Sequence, residues 1–148
     1  QLFLGITFNY GLILGWTSVQ ENVDIIPLIF YFGAIFWTLG YDTIYGYQDI
    51  KDDEIIGVKS TSIKFKNNPK KLLCLCYSIT ILSLILIGIF MKFNLIYFIG
   101  LIIVTYHLFI FQIKKLNIKQ PNVCLKIFKS NNLLGLLVFL NILVGKII

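Results

Sequence analysis

Three aspartates and a tyrosine recur at near-helical spacing within the segment YDTIYGYQDIKDDEIIGVKSTSIKF, residues 41–65. Asp42, Tyr45, Asp49 and Asp53 follow one another at intervals of three, four and four residues, so on one continuous helix they share a face. This acidic ladder would be about 16 Å long at 1.5 Å per residue. Aligned carboxylates can hold a hard divalent cation, and Mg²⁺ prefers oxygen ligands and commonly bridges to substrate phosphates. The spacing therefore predicts a Mg²⁺ site.

Cations and hydroxyl groups follow the acidic ladder. Gly57 permits a turn out of the helix, and the residues after it supply donors to an anion: Lys59, Ser60, Thr61 and Lys64. Ammonium and hydroxyl groups donate hydrogen bonds to phosphate oxygens, so this turn is predicted to form the second side of a diphosphate site. The alternative is an amphipathic helix end whose solvated acids pair with nearby cations, Lys51 and Lys59. Asp52 and Glu54 fall off the ladder face and are expected to be solvated.

The remainder of the chain is mostly apolar. Of the 148 residues, 57% are hydrophobic and 14% charged, and the mean hydropathy is +0.84, whereas about 25% of residues are charged in ordinary soluble domains. No period-two alternation is sustained, which argues against a β-barrel. We therefore predict an all-α integral membrane protein in which the ladder continues the second of five spans. The predicted spans are Leu2–Val19, Ile25–Tyr47, Leu72–Met91, Phe93–Phe111 and Asn132–Ile148.

The lysines predict how these spans are oriented. The net charge of +6 comes from 13 basic residues, all of them lysine, and 11 of the 13 lie in residues 51–71 and 112–131. By the positive-inside rule these two connections face the cytoplasm, and the acidic ladder opens there. Topology explains the positive charge better than nucleic-acid binding does, so no nucleic-acid partner is expected. Both connections exceed the usual link between helices, which indicates function or extra short helices.

Three further kinds of residue are candidates for sites. His107 is the single histidine and lies inside the fourth predicted span, where a neutral, hydrogen-bonded imidazole is expected. Asn131 and Asn132 stand where the fifth predicted span begins, which favours an N-cap over a substrate contact. The cysteines fit neither a zinc site nor a disulfide framework and are expected to be buried or lipid-facing thiols: Cys74, Cys76 and Cys124.

Residues 41–65 resemble the second aspartate-rich motif of the UbiA superfamily of membrane prenyltransferases, D-x-x-Y-x-x-x-D-x-x-x-D followed by G-x-K-S-T. Within the superfamily the segment is most similar to the branch that prenylates 4-hydroxybenzoate in ubiquinone biosynthesis. The opening QLFLGITFNYGLILGW and the later FKSNNLLGLLVF also resemble that branch. The resemblance implies a nine-helix fold whose helices five to nine match the five spans. Residues 1–148 are therefore interpreted as the C-terminal part of a single transmembrane prenyltransferase domain, because the superfamily's first motif, N-D-x-x-D-x-x-x-D, does not occur in them.

The resemblance also implies a reaction and assigns roles to residues. A polyprenyl group would pass from polyprenyl diphosphate to the 3-position of 4-hydroxybenzoate, with Mg²⁺ as cofactor. Catalytic roles are implied for Asp42, Tyr45 and Lys59, and metal binding for Asp49 and Asp53. Diphosphate binding is implied for Lys59, Ser60, Thr61 and Lys64. The expected surroundings are the lipid bilayer of a bacterial inner membrane, with the acidic ladder facing the cytoplasm and a separate N-terminal half as a further partner.

Other functions remain open from the sequence. The chain could be an inactive or split fragment of such an enzyme, or a superfamily member of the haem, menaquinone or chlorophyll type. A membrane transporter or assembly subunit could also line an ion path with acids, although transporters often repeat their interrupted helices and no second copy of the ladder occurs. A CDP-alcohol phosphotransferase is disfavoured because the D-G and A-R pairs of that family's motif are absent.

Overall fold

The computed structural model describes residues 1–147, which fold into helices without any strand. Eight α-helices and one π-helical segment follow one another along the chain. They are α1 (Leu2–Phe8), α2 (Gly11–Gln20), α3 (Ile25–Gly46), α4 (Ile50–Ile56), α5 (Thr61–Lys64), α6 (Pro69–Phe90), α7 (Leu95–Tyr106), the π-helical segment (His107–Lys114) and α8 (Pro121–Ile147). The short helices α4 and α5 lie in the first long connection, where extra helices were expected.

Five of the helical stretches are long and apolar enough to cross a membrane, which confirms the predicted number of spans. They are Leu2–Gln20, Ile25–Gly46, Pro69–Phe90, Leu95–Lys114 and Pro121–Ile147. Local signals fix several of their ends. The Asp24 carboxylate caps α3 by accepting from the N–H of Ile25 at 2.6 Å, and the Asn94 side chain accepts from the N–H of Tyr97 at 3.1 Å. Proline starts α6 and α8, where its missing N–H costs nothing.

The fifth span was predicted wrongly. Helix α8 begins at Pro121, not at Asn132, and Ile148 lies outside the described residues. The sequence suggested a later start because Lys126 and Lys129 interrupt the apolar pattern. In the structure these lysines belong to the first turns of a long helix, whose buried side includes Ile127, Asn131 and Leu134. An amphipathic helical end thus leads into the apolar span.

Helices α3 and α6 form the centre of the bundle, and small residues bring them close together. A Cβ at Gly33 would lie 2.5 Å from the Cβ of Ser83, a distance that no larger residue at position 33 could accommodate. The Thr80 hydroxyl donates to the carbonyl of Gly33 at 3.2 Å across the same contact. Close backbone approach and interhelical hydrogen bonds stabilise helix pairs in lipid, where the hydrophobic effect contributes little. This pair therefore provides the platform for the end of α3, which carries Asp42 and Tyr45.

Two spans contain breaks that the hydropathy pattern did not reveal. The first span is divided at Asn9, whose amide donates at 2.8 Å both to the carbonyl of Gly5 and to the hydroxyl of Thr38 on α3. The fourth span changes from α-helix to π-helix at His107. Segments of π-helix are rare and often occur at functional sites. The three cysteines are free thiols; Cys76 and Cys124 are buried, and Cys74 is exposed.

Candidate active site

The acidic ladder does not lie on one continuous helix, so that prediction is wrong. Helix α3 carries Asp42 and Tyr45 and ends at Gly46, and Asp49 occupies the N-cap position of α4. Between the two helices the N–H groups of Tyr47 and Gln48 bond to the carbonyls three residues earlier, at 3.2 and 2.9 Å. The four residues therefore form two pairs on separate helices: Asp42 and Tyr45 on α3, and Asp49 and Asp53 at the start of α4.

The cause of this break is the docking of α5 against the end of α3. In an unbroken helix the carbonyl of Thr43 would accept from the N–H of Tyr47. Here the Ser62 hydroxyl donates to that carbonyl at 2.9 Å. Gly46 permits the approach, because a Cβ at this position would collide with the Ser62 Oγ. A hydroxyl from the following turn thus takes the place of the next helical hydrogen bond.

Helix α4 places two of the predicted metal ligands together. The N–H of Asp53 donates to the carbonyl of Asp49 at 3.0 Å, so the two residues are one turn apart and share a side of α4, as predicted. Asp49 occupies the N-cap position of α4, but its carboxylate accepts no hydrogen bond from an N–H of that helix. Asp52 is exposed, as expected. The Asp49 carboxylate is thus free to bind a ligand.

The proposed pairing of the acids with Lys51 and Lys59 is not found. Glu54 instead pairs with Lys66, with 2.5 Å between the ammonium nitrogen and the carboxylate oxygen. It is the one salt bridge formed within residues 1–147. Both side chains are partly exposed, and such pairs contribute at most about 1 kcal/mol. The ion pair holds α4 beside the chain that follows α5, without occupying the carboxylates of the ladder.

The four predicted diphosphate-binding residues surround one groove. Lys59, Ser60, Thr61 and Lys64 line about 430 Å³ of open space, together with Val58 and Ile63. Gly57 ends α4 in the left-handed conformation, with φ of 81°, as predicted for the turn that leads here. Both lysines of the groove are exposed. The structure therefore places two cations and two hydroxyl groups at one surface.

The two hydroxyl residues of this groove also have structural roles. The Ser60 Oγ caps α5 by accepting from the N–H of Ile63 at 3.2 Å. The Thr61 hydroxyl lies 2.8 Å from that of Thr43 and donates to the Gln1 side chain at 2.8 Å. A bound anion could still receive a hydrogen bond from the Ser60 O–H, whereas Thr61 would first have to release a partner. The ammonium groups of Lys59 and Lys64 donate no hydrogen bond within the described residues, so they are the donors more readily available to an anion.

Asp42 and Tyr45 stand at the end of α3, beside α8. The Tyr45 ring packs against that of Phe128, with 4.7 Å between the ring centroids, and Tyr45 is 39% exposed. Phe128 also contacts Tyr41 at 5.8 Å. Asp42 is half-buried, and its carboxylate forms no hydrogen bond within residues 1–147. A third carboxylate thus remains available near the C-terminal end of α3.

The carboxylates suit a metal that keeps other ligands. Within residues 1–147, no three of the histidine, cysteine, aspartate and glutamate side chains approach closely enough to enclose a metal ion. Asp49 and Asp53 offer only oxygen atoms, the donors that Mg²⁺ prefers, and Mg²⁺ usually completes its shell with waters and substrate phosphates. The donor set therefore fits a metal bound jointly with a diphosphate, although metal binding by Asp49 and Asp53 stays a prediction.

The sequence profile of the UbiA prenyltransferase family matches residues 1–143. This chain belongs to that family. It is 43% identical over 149 aligned residues to the mitochondrial 4-hydroxybenzoate polyprenyltransferase of Bos taurus, and the match covers 99% of this chain and 40% of the bovine protein. The mitochondrial 4-hydroxybenzoate polyprenyltransferase of Homo sapiens is 42% identical, with the same coverage.

A bacterial relative is similar over nearly the same region. The 4-hydroxybenzoate octaprenyltransferase of Francisella tularensis subsp. novicida is 35% identical, covering 95% of this chain and 49% of that protein. The UbiA-family chain described here thus spans between about two fifths and one half of the length of these relatives. No solved structure matches it significantly.

A buried polar network in this UbiA-family chain was missed from the sequence. The Asn131 Oδ1 accepts from the Trp37 indole at 3.0 Å and from the Gln112 amide at 2.9 Å. The Gln112 Oε1 accepts from the Tyr77 hydroxyl at 2.5 Å. The N-cap assigned to Asn131 and Asn132 is therefore wrong, since both lie well inside α8. The available signal was the occurrence of an amide side chain within an apolar span.

His107 lies at the edge of this network. Its Nδ1 is 3.3 Å from the Gln112 Nε2, and its ring stacks on that of Phe111 with 5.0 Å between centroids. The expected hydrogen bond of the imidazole is confirmed. The π-helical segment is what brings His107 and Gln112, five residues apart, to one side of the helix.

The break between α3 and α4 holds two polar groups without partners. The Tyr47 hydroxyl and the Gln48 Oε1 are buried and form no hydrogen bond within the described residues. Burial raises the pKa of the Tyr47 hydroxyl above its ordinary value. Unsatisfied buried polar atoms are uncommon and destabilising, and these two lie immediately before Asp49.

Proposed function

We propose that this chain forms part of an enzyme that transfers a polyprenyl group from polyprenyl diphosphate to the 3-position of 4-hydroxybenzoate, with Mg²⁺ as cofactor. The observation that carries the proposal lies within residues 41–65. The α4 carboxylates, Asp49 and Asp53, directly precede a groove that contains two exposed lysines, Lys59 and Lys64. Family membership and the names of the relatives agree with this chemistry. The five spans correspond in this proposal to helices five to nine of a nine-helix domain.

The residues would have two tasks in this reaction, which are to hold Mg²⁺ and to bind the diphosphate directly. Asp49 and Asp53 would hold Mg²⁺, which draws negative charge from the leaving diphosphate. Lys59 and Lys64 would donate to the same diphosphate, so that charge developing as the allylic C–O bond breaks meets fixed cations. The allylic carbon would then bond to the ring carbon beside the phenol carbon, and that ring carbon would lose its proton to the released diphosphate. Ser60 and Thr61 would add hydroxyl donors at the rim of the groove.

Asp42 and Tyr45 would act deeper than the diphosphate. They lie on the last turns of α3, closer to the apolar part of the bundle than Asp49 and Asp53. A prenyl chain dissolved in lipid would present its allylic carbon at this level, and an uncommitted carboxylate there would stabilise the allylic cation. This placement supports catalytic roles for Asp42 and Tyr45.

The membrane and the orientation also belong to the proposal. We place the chain in a bacterial inner membrane, with the α4 carboxylates and the groove facing the cytoplasm, as the distribution of lysines indicates. Relatives named as mitochondrial make a mitochondrial membrane the alternative. In both cases polyprenyl diphosphate would enter the site from the lipid side.

The orientation predicts where introduced cysteines react. In a background lacking the three native cysteines, Lys66→Cys and Lys92→Cys should be labelled by an impermeant thiol reagent from opposite sides of the membrane. Lys66 lies between α5 and α6, and Lys92 between α6 and α7, so one span separates them. Labelling of both from the same side would contradict the five-span arrangement.

The function is tested most directly in a chimera. Residues 1–148 would replace the matched segment of the bovine relative, and membranes would be incubated with polyprenyl diphosphate and labelled 4-hydroxybenzoate. We expect a 3-prenylated product that disappears when divalent metal is chelated and returns when Mg²⁺ is restored. Product with haem or a naphthoate, but none with 4-hydroxybenzoate, would assign the chain to another branch of the family. No product with any acceptor would refute the proposed function.

A further inference from the structure

One face of α8 contacts α3 at two successive levels. At the first level, the Phe128 ring packs against Tyr45 with centroids 4.7 Å apart. At the second, one turn further along α8, the Asn131 Oδ1 accepts from the Trp37 indole at 3.0 Å. Trp37 and Tyr45 are eight residues apart on α3 and therefore lie on the same side of that helix. The two contacts together fix how α3 is rotated against α8.

The Asn131 side chain forms hydrogen bonds with α3, with the π-helical segment and with the preceding turn of α8. Besides Trp37, its Oδ1 accepts from the Gln112 Nε2 at 2.9 Å. Its Nδ2 donates to the carbonyls of Ile127 and Phe128, at 3.3 and 3.1 Å. All of its hydrogen-bonding capacity is thereby used, and the side chain is buried. Such a fully satisfied buried amide has one well-defined orientation.

The hydrogen bonds extend beyond α8 to the centre of the bundle. Gln112 is fully buried and accepts from the Tyr77 hydroxyl on α6 at 2.5 Å. Asn131 therefore connects α3, α8, the π-helical segment and, through Gln112, α6. Of these contacts, the one to Trp37 is made to the helix that carries Asp42 and Tyr45.

We propose that Asn131 is a positioning residue for the prenyl-transfer site: it fixes the rotation of α3, and with it the placement of Asp42 and Tyr45, through its hydrogen bond to Trp37 and the neighbouring Phe128–Tyr45 contact. This inference rests on the proposed function and adds a residue to it. Within the described residues, Asn131 forms its side-chain hydrogen bonds with groups other than Asp42 and Tyr45. Replacing it would leave the Trp37 indole N–H and one N–H of the Gln112 amide unpaired, and α3 could then turn to find other partners.

The adjacent asparagine supplies a matched control. Asn132 is exposed, so Asn132→Leu makes the same chemical change one position away from the network. Asn131→Leu removes the acceptor oxygen, whereas Asn131→Asp retains an oxygen that can accept from both donors. Because a misplacement of about 1 Å can cost about 100-fold in rate, we expect Asn131→Leu in the chimera to lower kcat by about 10- to 100-fold. The KM for 4-hydroxybenzoate should change by less than about twofold, and Asn131→Asp should recover part of kcat.

Two further measurements do not depend on turnover. With Trp16→Phe in the 148-residue chain, Trp37 is the single remaining tryptophan, since the sequence contains two. Its ultraviolet resonance Raman band for the indole N–H should shift with Asn131→Leu and stay constant with Asn132→Leu. In the chimera, Mn²⁺ binding in the presence of inorganic diphosphate, followed by electron paramagnetic resonance, should stay constant with both substitutions, because the proposed metal ligands Asp49 and Asp53 belong to α4 and not to α3.

The outcomes separate the inference from the proposed function. If the unsubstituted chimera turns over and Asn131→Leu matches Asn132→Leu in kcat, the inference is wrong while the function stands. An unshifted Trp37 band with Asn131→Leu also overturns it. Equal losses in kcat and in the amount of folded protein, without rescue by Asn131→Asp, would indicate a merely structural role. A chimera that gives no product with any acceptor refutes both.

Discussion

Asp49→Ala and Asp53→Ala are each expected to lower prenyl transfer in the chimera by about 100-fold or more, while Asp52→Ala should lower it by less than about fivefold. Asp49 and Asp53 lie one turn apart at the start of α4, with the N–H of Asp53 bonded to the carbonyl of Asp49 at 3.0 Å. Asp52 is rotated by about 100° from Asp53. Removing a shared metal ligand should therefore cost far more than removing a solvated neighbour.

Asp52→Ala is a close control for local stability. Asp52 and Asp53 both stand in the first turn of α4, where an acidic side chain stabilises the helix by about 0.3–1 kcal/mol. Their replacement removes the same helix contribution, so a difference in activity reports on ligand binding. Asp49→Ala breaks no capping hydrogen bond. Turnover would be measured over a series of Mg²⁺ concentrations, and equal losses at positions 52 and 53 would point to a general effect of charge.

The second large effect concerns residues 1–148 expressed alone. We expect no measurable product from them in a host deleted for its own enzyme. Co-expression with an N-terminal half that carries N-D-x-x-D-x-x-x-D should restore Mg²⁺-dependent prenylation of 4-hydroxybenzoate. Ionisation would leave more negative charge on the diphosphate than the metal held by Asp49 and Asp53, together with two lysines, can neutralise. Electrostatic stabilisation of this kind is usually the largest contribution to catalysis.

The control for the second prediction is assembly. Both halves should be found in the membrane and should co-purify before activity is compared, so that absence of product is not mistaken for absence of folding. The N-terminal half expressed by itself should be equally inactive. Robust product from residues 1–148 alone, abolished by chelation, would mean that one pair of carboxylates suffices for the reaction.

The sequence predicted the elements that depend on local chemistry. Hydropathy identified five spans, and Gly57 marked the turn after α4 because its φ of 81° suits glycine best. Spacing also placed Asp49 and Asp53 on one side of a helix. Each of these follows from residues that are neighbours in the chain.

Features that depend on contacts between distant residues were not predictable. The helix ends at Gly46 because Ser62, 16 residues further along, bonds to the carbonyl of Thr43. Hydropathy likewise placed Asn131 at the start of the fifth predicted span, because a polar residue beside an apolar stretch suggests the end of a span. Its partners are Trp37, 94 positions away, and Gln112, 19 positions away. Periodicity alone contains no information about such pairings.

The separation of α4 from α3 has a consequence for the energetics of ligand binding. Helix α4 has seven residues, none of them buried, and segments of this kind open locally at low free-energy cost. Amide hydrogens of α4 should accordingly exchange with solvent faster than those of α3. Whichever ligand binds first must order α4, and the second then binds to a segment that is already ordered. Mg²⁺ and diphosphate should therefore bind with positive cooperativity, each protecting the α4 amides more strongly when the other is present.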